Sequence, residues 1–281
     1  MAYTTLISAQ TLNQNLNNPN WIAVDCRFSL ADTEAGAKAY RHGHIPNAHY
    51  AHLDKDLSSQ ITDFTGRHPL PNFSLLAKKL GDWGISNNSQ VVVYDDAGGA
   101  FAGRFWWLLR SLGHDHVAVL DGGIKQWQKQ GLPVTTALPT IKRAVFRPYL
   151  NDNVWLSAAQ VRDGLAAKTI CLIDARTPER YRGEQEPIDP VAGHIPYALN
   201  RAFQLNLDRN GLFLAPEQLR QQFKQLIDSV DSKQVVHYCG SGVTACHNLL
   251  AMEHAGLSGS KLYAGSWSEW IRNKNRTVAR N

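Results

Sequence analysis

The chain repeats itself once, in order. Val24-Asp25-Cys26-Arg27 answers Ile173-Asp174-Ala175-Arg176, and Gly43-His44-Ile45-Pro46 answers Gly193-His194-Ile195-Pro196. Further on, Gln90-Val91-Val92-Val93-Tyr94 answers Gln234-Val235-Val236-His237-Tyr238, and Leu120 to Trp127 answers Tyr263 to Trp270. A preserved order at an offset of about 145 residues implies two copies of one unit, and it excludes a solenoid, whose period is several times shorter. A chain of 281 residues has room for two ordinary domains.

Within each copy, short β-rich runs alternate with helical patterns. In the first, Ser8 caps a helix, a strand covers Trp21 to Asp25, and a helix surrounds Phe73 to Trp83. A strand from Val91 to Tyr94, a helix near Phe101 to Leu112, a strand from Val117 to Leu120 and a last helix through Trp127 complete it. The second copy gives a Ser157-capped helix over Ala158 to Ala167, a strand from Ile170 to Asp174 and a helix over Pro216 to Ile227. A strand from Val235 to Cys239 and a helix from Ala245 to Ala255 follow. Alternation of this kind predicts an α/β fold in which each copy is a largely parallel sheet flanked by helices on both faces. The expected domains are residues 1–137 and 153–281. Residues 138–152, with neither helical periodicity nor glycine-rich flexibility, form an extended linker between them.

Hydrophobic residues at 43% suffice to fill two cores, and no run approaches membrane-spanning length. The start, Met-Ala-Tyr-Thr-Thr-Leu-Ile-Ser, lacks the basic and long apolar regions of a secretion signal, so the expected address is the cytoplasm. A net charge of +5 comes from scattered basic residues without a stripe or cluster. That pattern argues against nucleic acid and suits a protein that collects small anions. The cysteines, at 26, 171, 239 and 246, form no zinc-type spacing and no disulfide framework. Cys26 and Cys171 fall in apolar strand-like runs and are assigned to the core, and Cys246 reads as a packed helix residue. His42, His44 and His49 crowd one stretch, but no acidic or thiol partners stand at metal-ligand spacing, so no metal or other cofactor is expected.

Cys239 stands apart from the other three. It ends an apolar strand-like run and opens Gly240-Ser241-Gly242-Val243-Thr244, which leads into a helical pattern. Reactive residues of parallel α/β sheets sit at carboxyl ends of strands. A thiol there faces backbone N–H groups and the positive end of a helix, and both favour the thiolate. The two glycines permit the backbone angles that such an inward-facing loop needs. At the matching place in the first copy, Tyr94-Asp95 replaces Tyr238-Cys239, so that copy carries a carboxylate in place of the thiol and is expected to be a silent partner walling a cleft.

The loop Cys239 to Thr244, the stretch Tyr263 to Trp270 and the two Gly-His-Ile-Pro stretches resemble the two-domain sulfurtransferases of the rhodanese family, nearly end to end. The likeness is strongest to its 3-mercaptopyruvate branch. It implies a tandem of rhodanese-like domains in which Cys239 carries a persulfide cradled by Gly240, Ser241, Gly242, Val243 and Thr244. It also implies a relay from Ser241 to a histidine, assigned here to His44, and on to an upstream acid, with Asp32 the nearest candidate and Glu34 its competitor. Arg180 matches the arginine that grips the donor's carboxylate. The family's second arginine, some nine residues later, has no counterpart, because Glu184 to Ala192 contain no basic residue, and Arg182 is the substitute within reach. The implied partners are a small anionic sulfur donor and a thiol, cyanide or thioredoxin-like acceptor.

Thiosulfate is the competing donor, and relay to a protein acceptor is the competing role. Phosphatase chemistry, which a related cysteine loop performs, needs an arginine six residues after the cysteine, and that position is Ala245.

Overall fold

The computed structural model describes residues 2–140 and 142–280; Met1, Asn281 and Ile141 of the expected linker lie outside the described residues. Two compact units are present. One comprises residues 2–59, 71–140, 142–151 and 209–213, and the other residues 60–70, 152–208 and 214–280.

The first unit holds five parallel strands: β1 (Leu6–Ile7), β2 (Trp21–Asp25), β3 (His49–Tyr50), β4 (Gln90–Tyr94) and β5 (Val117–Leu120), in the order β1-β5-β4-β2-β3. In the second, β6 (Trp155–Leu156), β7 (Cys171–Asp174), β8 (Leu199–Asn200), β9 (Val235–Tyr238) and β10 (Lys261–Tyr263) repeat that permutation as β6-β10-β9-β7-β8. The central strands β4 and β9 are buried along their whole length, which is why they read as continuous apolar runs rather than as alternation. Flanking helices complete each core. Leu12, Val92, Leu120 and Trp127 pack together in the first unit, and Val161, Leu172, Val236 and Trp267 in the second. Ser8 caps the helix Ala9–Gln14 through the N–H of Thr11, and Ser157 with Gln160 forms a capping box on Ala158–Ala166.

The repeated motifs hold the ends of the strands. Asp25 takes three bonds from the Arg27 guanidinium, whose Nη2 also donates to the Gly43 carbonyl at 2.7 Å. Asp174, Arg176 and the Gly193 carbonyl make the same arrangement, again at 2.7 Å. Both Gly-His-Ile-Pro histidines are part of this frame. His44 stacks on Tyr40 at 3.9 Å with Nδ1 2.7 Å from the Tyr40 carbonyl and Nε2 3.0 Å from that of Ala137. His194 stacks on Tyr181 at 3.8 Å with Nδ1 2.8 Å from the Tyr181 carbonyl.

The stretch expected to link the copies is not free along its length. Ala144 N–H donates to Gly81, Tyr149 to Leu112 and Asn151 to Ser111, all within the first unit.

After β4, Asp95 turns its carboxylate into its own loop. Oδ1 accepts from Ala97 and Gly99 N–H at 2.9 and 2.8 Å, and Oδ2 from Phe101 and Ala102 N–H at 2.8 and 2.9 Å. Four inward backbone donors thus close on one side-chain anion. Replacing Asp95 by Ala strips all four of their acceptor, and leaving even one buried donor unpaired costs about 1–3 kcal/mol. Urea denaturation of Asp95→Ala should show a loss on the order of 3 kcal/mol; a loss below about 1 kcal/mol would mean that the carboxylate does not hold the loop.

Candidate active site

Cys239 follows β9 at the carboxyl end of the second sheet, 2% exposed. Its backbone is tied down by the turn that follows β10. Cys239 N–H donates to Ser266 Oγ at 3.1 Å, and Ser266 Oγ in turn donates to the Tyr263 carbonyl at 2.9 Å. Trp267 and Ser268 N–H return bonds to the carbonyls of Cys239 and Gly240 at 3.0 and 2.9 Å. These bonds explain why the stretch Tyr263 to Trp270 accompanies the cysteine loop in sequence. The loop then folds back over the sulfur: Gly242 N–H donates to Cys239 Sγ at 3.2 Å. Gly242 holds φ +78°, and a Cβ there would overlap the Ala264 carbonyl oxygen, so glycine is required. The helix Ala245–His254 starts directly after the loop with Thr244 at its N-cap, whose hydroxyl makes no capping bond. Val243 is buried beside it.

Ser241, 6% exposed, lies with Oγ 2.7 Å from Nδ1 of His68, itself 5% exposed. His68 therefore occupies the place that the sequence reading gave to His44. His44 is corrected: both of its ring nitrogens face backbone carbonyls within the first unit, and His194 repeats the same stack and carbonyl contact in the second, so the pair is a shared framework feature. Asp32 is corrected as well. It is an exposed surface carboxylate, hydrogen-bonded by Lys38 and the Glu34 N–H, which hold it below the usual range. Glu34, the competing acid, is likewise spent on Lys55 at 2.6 Å.

Arg180 lies on the short helix Pro178–Arg182, and a Cβ on Gly240 would stand 3.5 and 3.6 Å from its Nη2 and Nη1. Arg182 does not join it, because its guanidinium is exposed and paired with Glu184 at 2.7 and 2.9 Å. The second guanidinium comes instead from Arg67, whose Nη2 would lie 2.8 Å from a Gly240 Cβ and whose backbone N–H donates to Ser268 Oγ at 3.1 Å. Asp189 bridges the two arginines, bonded to Arg67 Nη1 and 3.3 Å from Arg180 Nη2. Glu186 holds the rest of Arg180 at 2.7 to 3.2 Å and takes Arg176 Nη1 at 3.1 Å. Burial raises the Glu186 carboxyl, but the Arg180 bond and charge and the N–H groups of Asp189 and Ile188 outweigh it, leaving it below its ordinary value. At Asp189 burial prevails over the pull of Arg67, and its carboxyl stays above the ordinary range.

Burial likewise pushes the Cys26 and Cys171 thiols up, with carboxylates near Cys26 adding to it; Cys26 is a core residue as expected, whereas Cys171 is only half-buried at the start of β7. Cys246, fully buried, donates Sγ–H to the Gly242 carbonyl at 3.4 Å. Among the described residues, no group of three or more His, Cys, Asp or Glu could hold a metal ion, and no helix is long and apolar enough to cross a membrane.

Two copies of one parallel α/β unit, with a glycine-looped cysteine at a strand end in the second, define a tandem rhodanese. Matches to the rhodanese-like domain model span residues 8–130 and 157–273, and the chain belongs to that family. Over 281 residues it is 48% identical to the probable 3-mercaptopyruvate sulfurtransferase of Pseudomonas aeruginosa, covering 99% of each chain. It is 34% identical to the thiosulfate sulfurtransferase of Rattus norvegicus, covering 96% of this chain and 93% of that one. Among solved structures, the 3-mercaptopyruvate sulfotransferase of Escherichia coli superposes with a TM-score of 0.82 at 28% identity, over 95% of this chain and 100% of that one.

The strain at Gly242 yields a direct test of the loop. Gly242→Ala should destabilise the second unit by about 1–2 kcal/mol for the left-handed backbone alone. It should also slow iodoacetamide alkylation of Cys239 by about tenfold as the bonded amide is displaced; an unchanged alkylation rate would show that this amide does not stabilise the thiolate.

Proposed function

We propose that this sulfurtransferase takes sulfur from 3-mercaptopyruvate onto Cys239 and passes it to a thiol or cyanide. The observation that carries the reading is the bond between Ser241 and His68 beside the nucleophile. Attack of the Cys239 thiolate on the donor sulfur forms an S–S bond and breaks a C–S bond, leaving the enolate of pyruvate. That carbon must gain a proton, and the donor's thiol must lose one. A serine hydroxyl coupled to an imidazole is suited to move it, since histidine can both accept and return a proton near neutral pH. The products are the Cys239 persulfide and pyruvate, with no change in total charge. Thiosulfate makes no such demand, because sulfite departs as an anion. A loop serine paired with a histidine beside the nucleophile therefore favours the carbon leaving group.

The persulfide's terminal sulfur then meets the loop amides of Gly240 to Thr244, of which Gly242 already donates to Sγ. An incoming thiolate or cyanide attacks that outer sulfur and restores the Cys239 thiolate. Arg180, with Arg67, holds the donor's carboxylate some bonds away from the sulfur. The first unit, with Asp95 in the corresponding loop, contributes no second nucleophile. A cytoplasmic setting and a thioredoxin-like acceptor belong to the same reading, because a persulfide discharges most readily onto another thiolate.

Kinetics with the two donors and one acceptor test this reading. Mercaptopyruvate should give the higher kcat/KM, and a preference for thiosulfate would overturn the donor assignment. Ser241→Ala and His68→Ala should each lower kcat/KM with mercaptopyruvate by about a hundredfold or more while leaving thiosulfate within a few-fold. Equal losses with both donors would remove the proton-transfer role. Arg180→Ala removes a charge-assisted contact worth about 1.5–3 kcal/mol, and mercaptopyruvate turnover should fall about tenfold to a hundredfold in kcat/KM.

A further inference from the structure

Asp174, Arg176, Glu186, Arg180, Asp189 and Arg67 form one alternating chain of anions and cations, each bonded to the next. Three carboxylates face three guanidinium groups, so their formal charge sums to zero. The far end of this chain lies over Gly240, next to the nucleophile. Asp189 is the last carboxylate before that end, and its side chain is 3% exposed. Among the described residues, the buried Nε of Arg67 has no hydrogen-bond partner.

We infer that Asp189 is a specificity-determining residue, which cancels one of the two positive charges at the donor end of the site and so favours singly charged donors over doubly charged ones. The inference rests on the reading of the Arg67–Arg180 pair as the donor's anion site. Two bare guanidinium groups beside a thiolate would attract a compact dianion most strongly. With Asp189 between them, a monocarboxylate still finds donor N–H groups, while the second charge of a dianion meets the Asp189 and Glu186 carboxylates. Electrostatic free energy scales with the ligand's charge, so whatever factor Asp189 costs a monoanion is squared for a dianion.

The variant Asp189→Asn keeps the volume and one acceptor for Arg67 while removing the charge. Binding of two unreactive anions, acetate and sulfate, is read from their protection of Cys239 against alkylation, alongside kcat/KM for both sulfur donors. Acetate protection should strengthen by about threefold and sulfate by about tenfold, and the thiosulfate to mercaptopyruvate ratio of kcat/KM should rise by a similar margin. Asp189→Glu retains the charge and should retain the wild-type ratios. If the Asn variant changes both anions equally or weakens both, or if the Glu variant shifts the ratios as Asn does, Asp189 is a strut for Arg67 and the inference fails. A wild type that prefers thiosulfate, combined with the expected shifts in anion protection, would overturn the donor assignment and leave the role of Asp189 standing.

Discussion

The site depends on how the backbone of the Cys239 loop is fastened. Two carbonyls, those of Cys239 and Gly240, are taken by the N–H groups of Trp267 and Ser268, and the Cys239 N–H is taken by Ser266 Oγ. With its outward polar groups spent on the turn after β10, the loop is free to direct Gly242 N–H at the sulfur. A buried thiolate is costly unless donors surround it. The fastening supplies a donor without any side-chain proton, which leaves the neighbouring Ser241 hydroxyl available for His68.

The same loop in the first unit shows what happens when the reactive group is replaced by a fixed anion. Asp95 takes the inward amides for itself, and its own carbonyl is held by Ile124 N–H at 3.0 Å, the counterpart of the Trp267 bond to Cys239. Gly123 stands where Ser266 does, both at positive φ, and a Cβ at Gly123 would overlap the Asp95 carbonyl oxygen. One architecture therefore serves two ends. In the first unit a carboxylate accepts from the cradle's amides, whereas in the second the Gly242 amide is turned to the sulfur of Cys239.

Much of this was legible in the sequence because it is written locally. Val91 to Tyr94 and Val235 to Tyr238 are buried on both faces and so appear as apolar runs, Ser8 and Ser157 cap their helices, and Cys239 with its glycines marks a strand end. The two-residue strands Leu6–Ile7, His49–Tyr50, Trp155–Leu156 and Leu199–Asn200 carry no period to detect. The larger miss was residues 60–70, which precede the expected boundary by some seventy positions yet belong to the second unit and supply Arg67 and His68. Nothing in Gln60 to Leu70 repeats or alternates. The missing second arginine after Arg180 was the available signal: Asp189, in the run of residues without a cation, needed a cation from elsewhere, and Arg67 is that cation. The histidine was misplaced for a different reason. Gly-His-Ile-Pro is conspicuous because it occurs twice, and the structure explains the duplication as strand-end packing against Tyr40 and Tyr181.

The central claim is that one sulfur atom in this chain, Sγ of Cys239, accepts the transferred sulfur. Peptide mass spectrometry after treatment with 3-mercaptopyruvate, without acceptor and with the thiols trapped by alkylation, addresses it directly. The account predicts one additional sulfur on the Cys239 peptide, none on those of Cys26, Cys171 and Cys246, and loss of the added sulfur on exposure to cyanide. An adduct on any of the other three, or one that persists in Cys239→Ser, would contradict it.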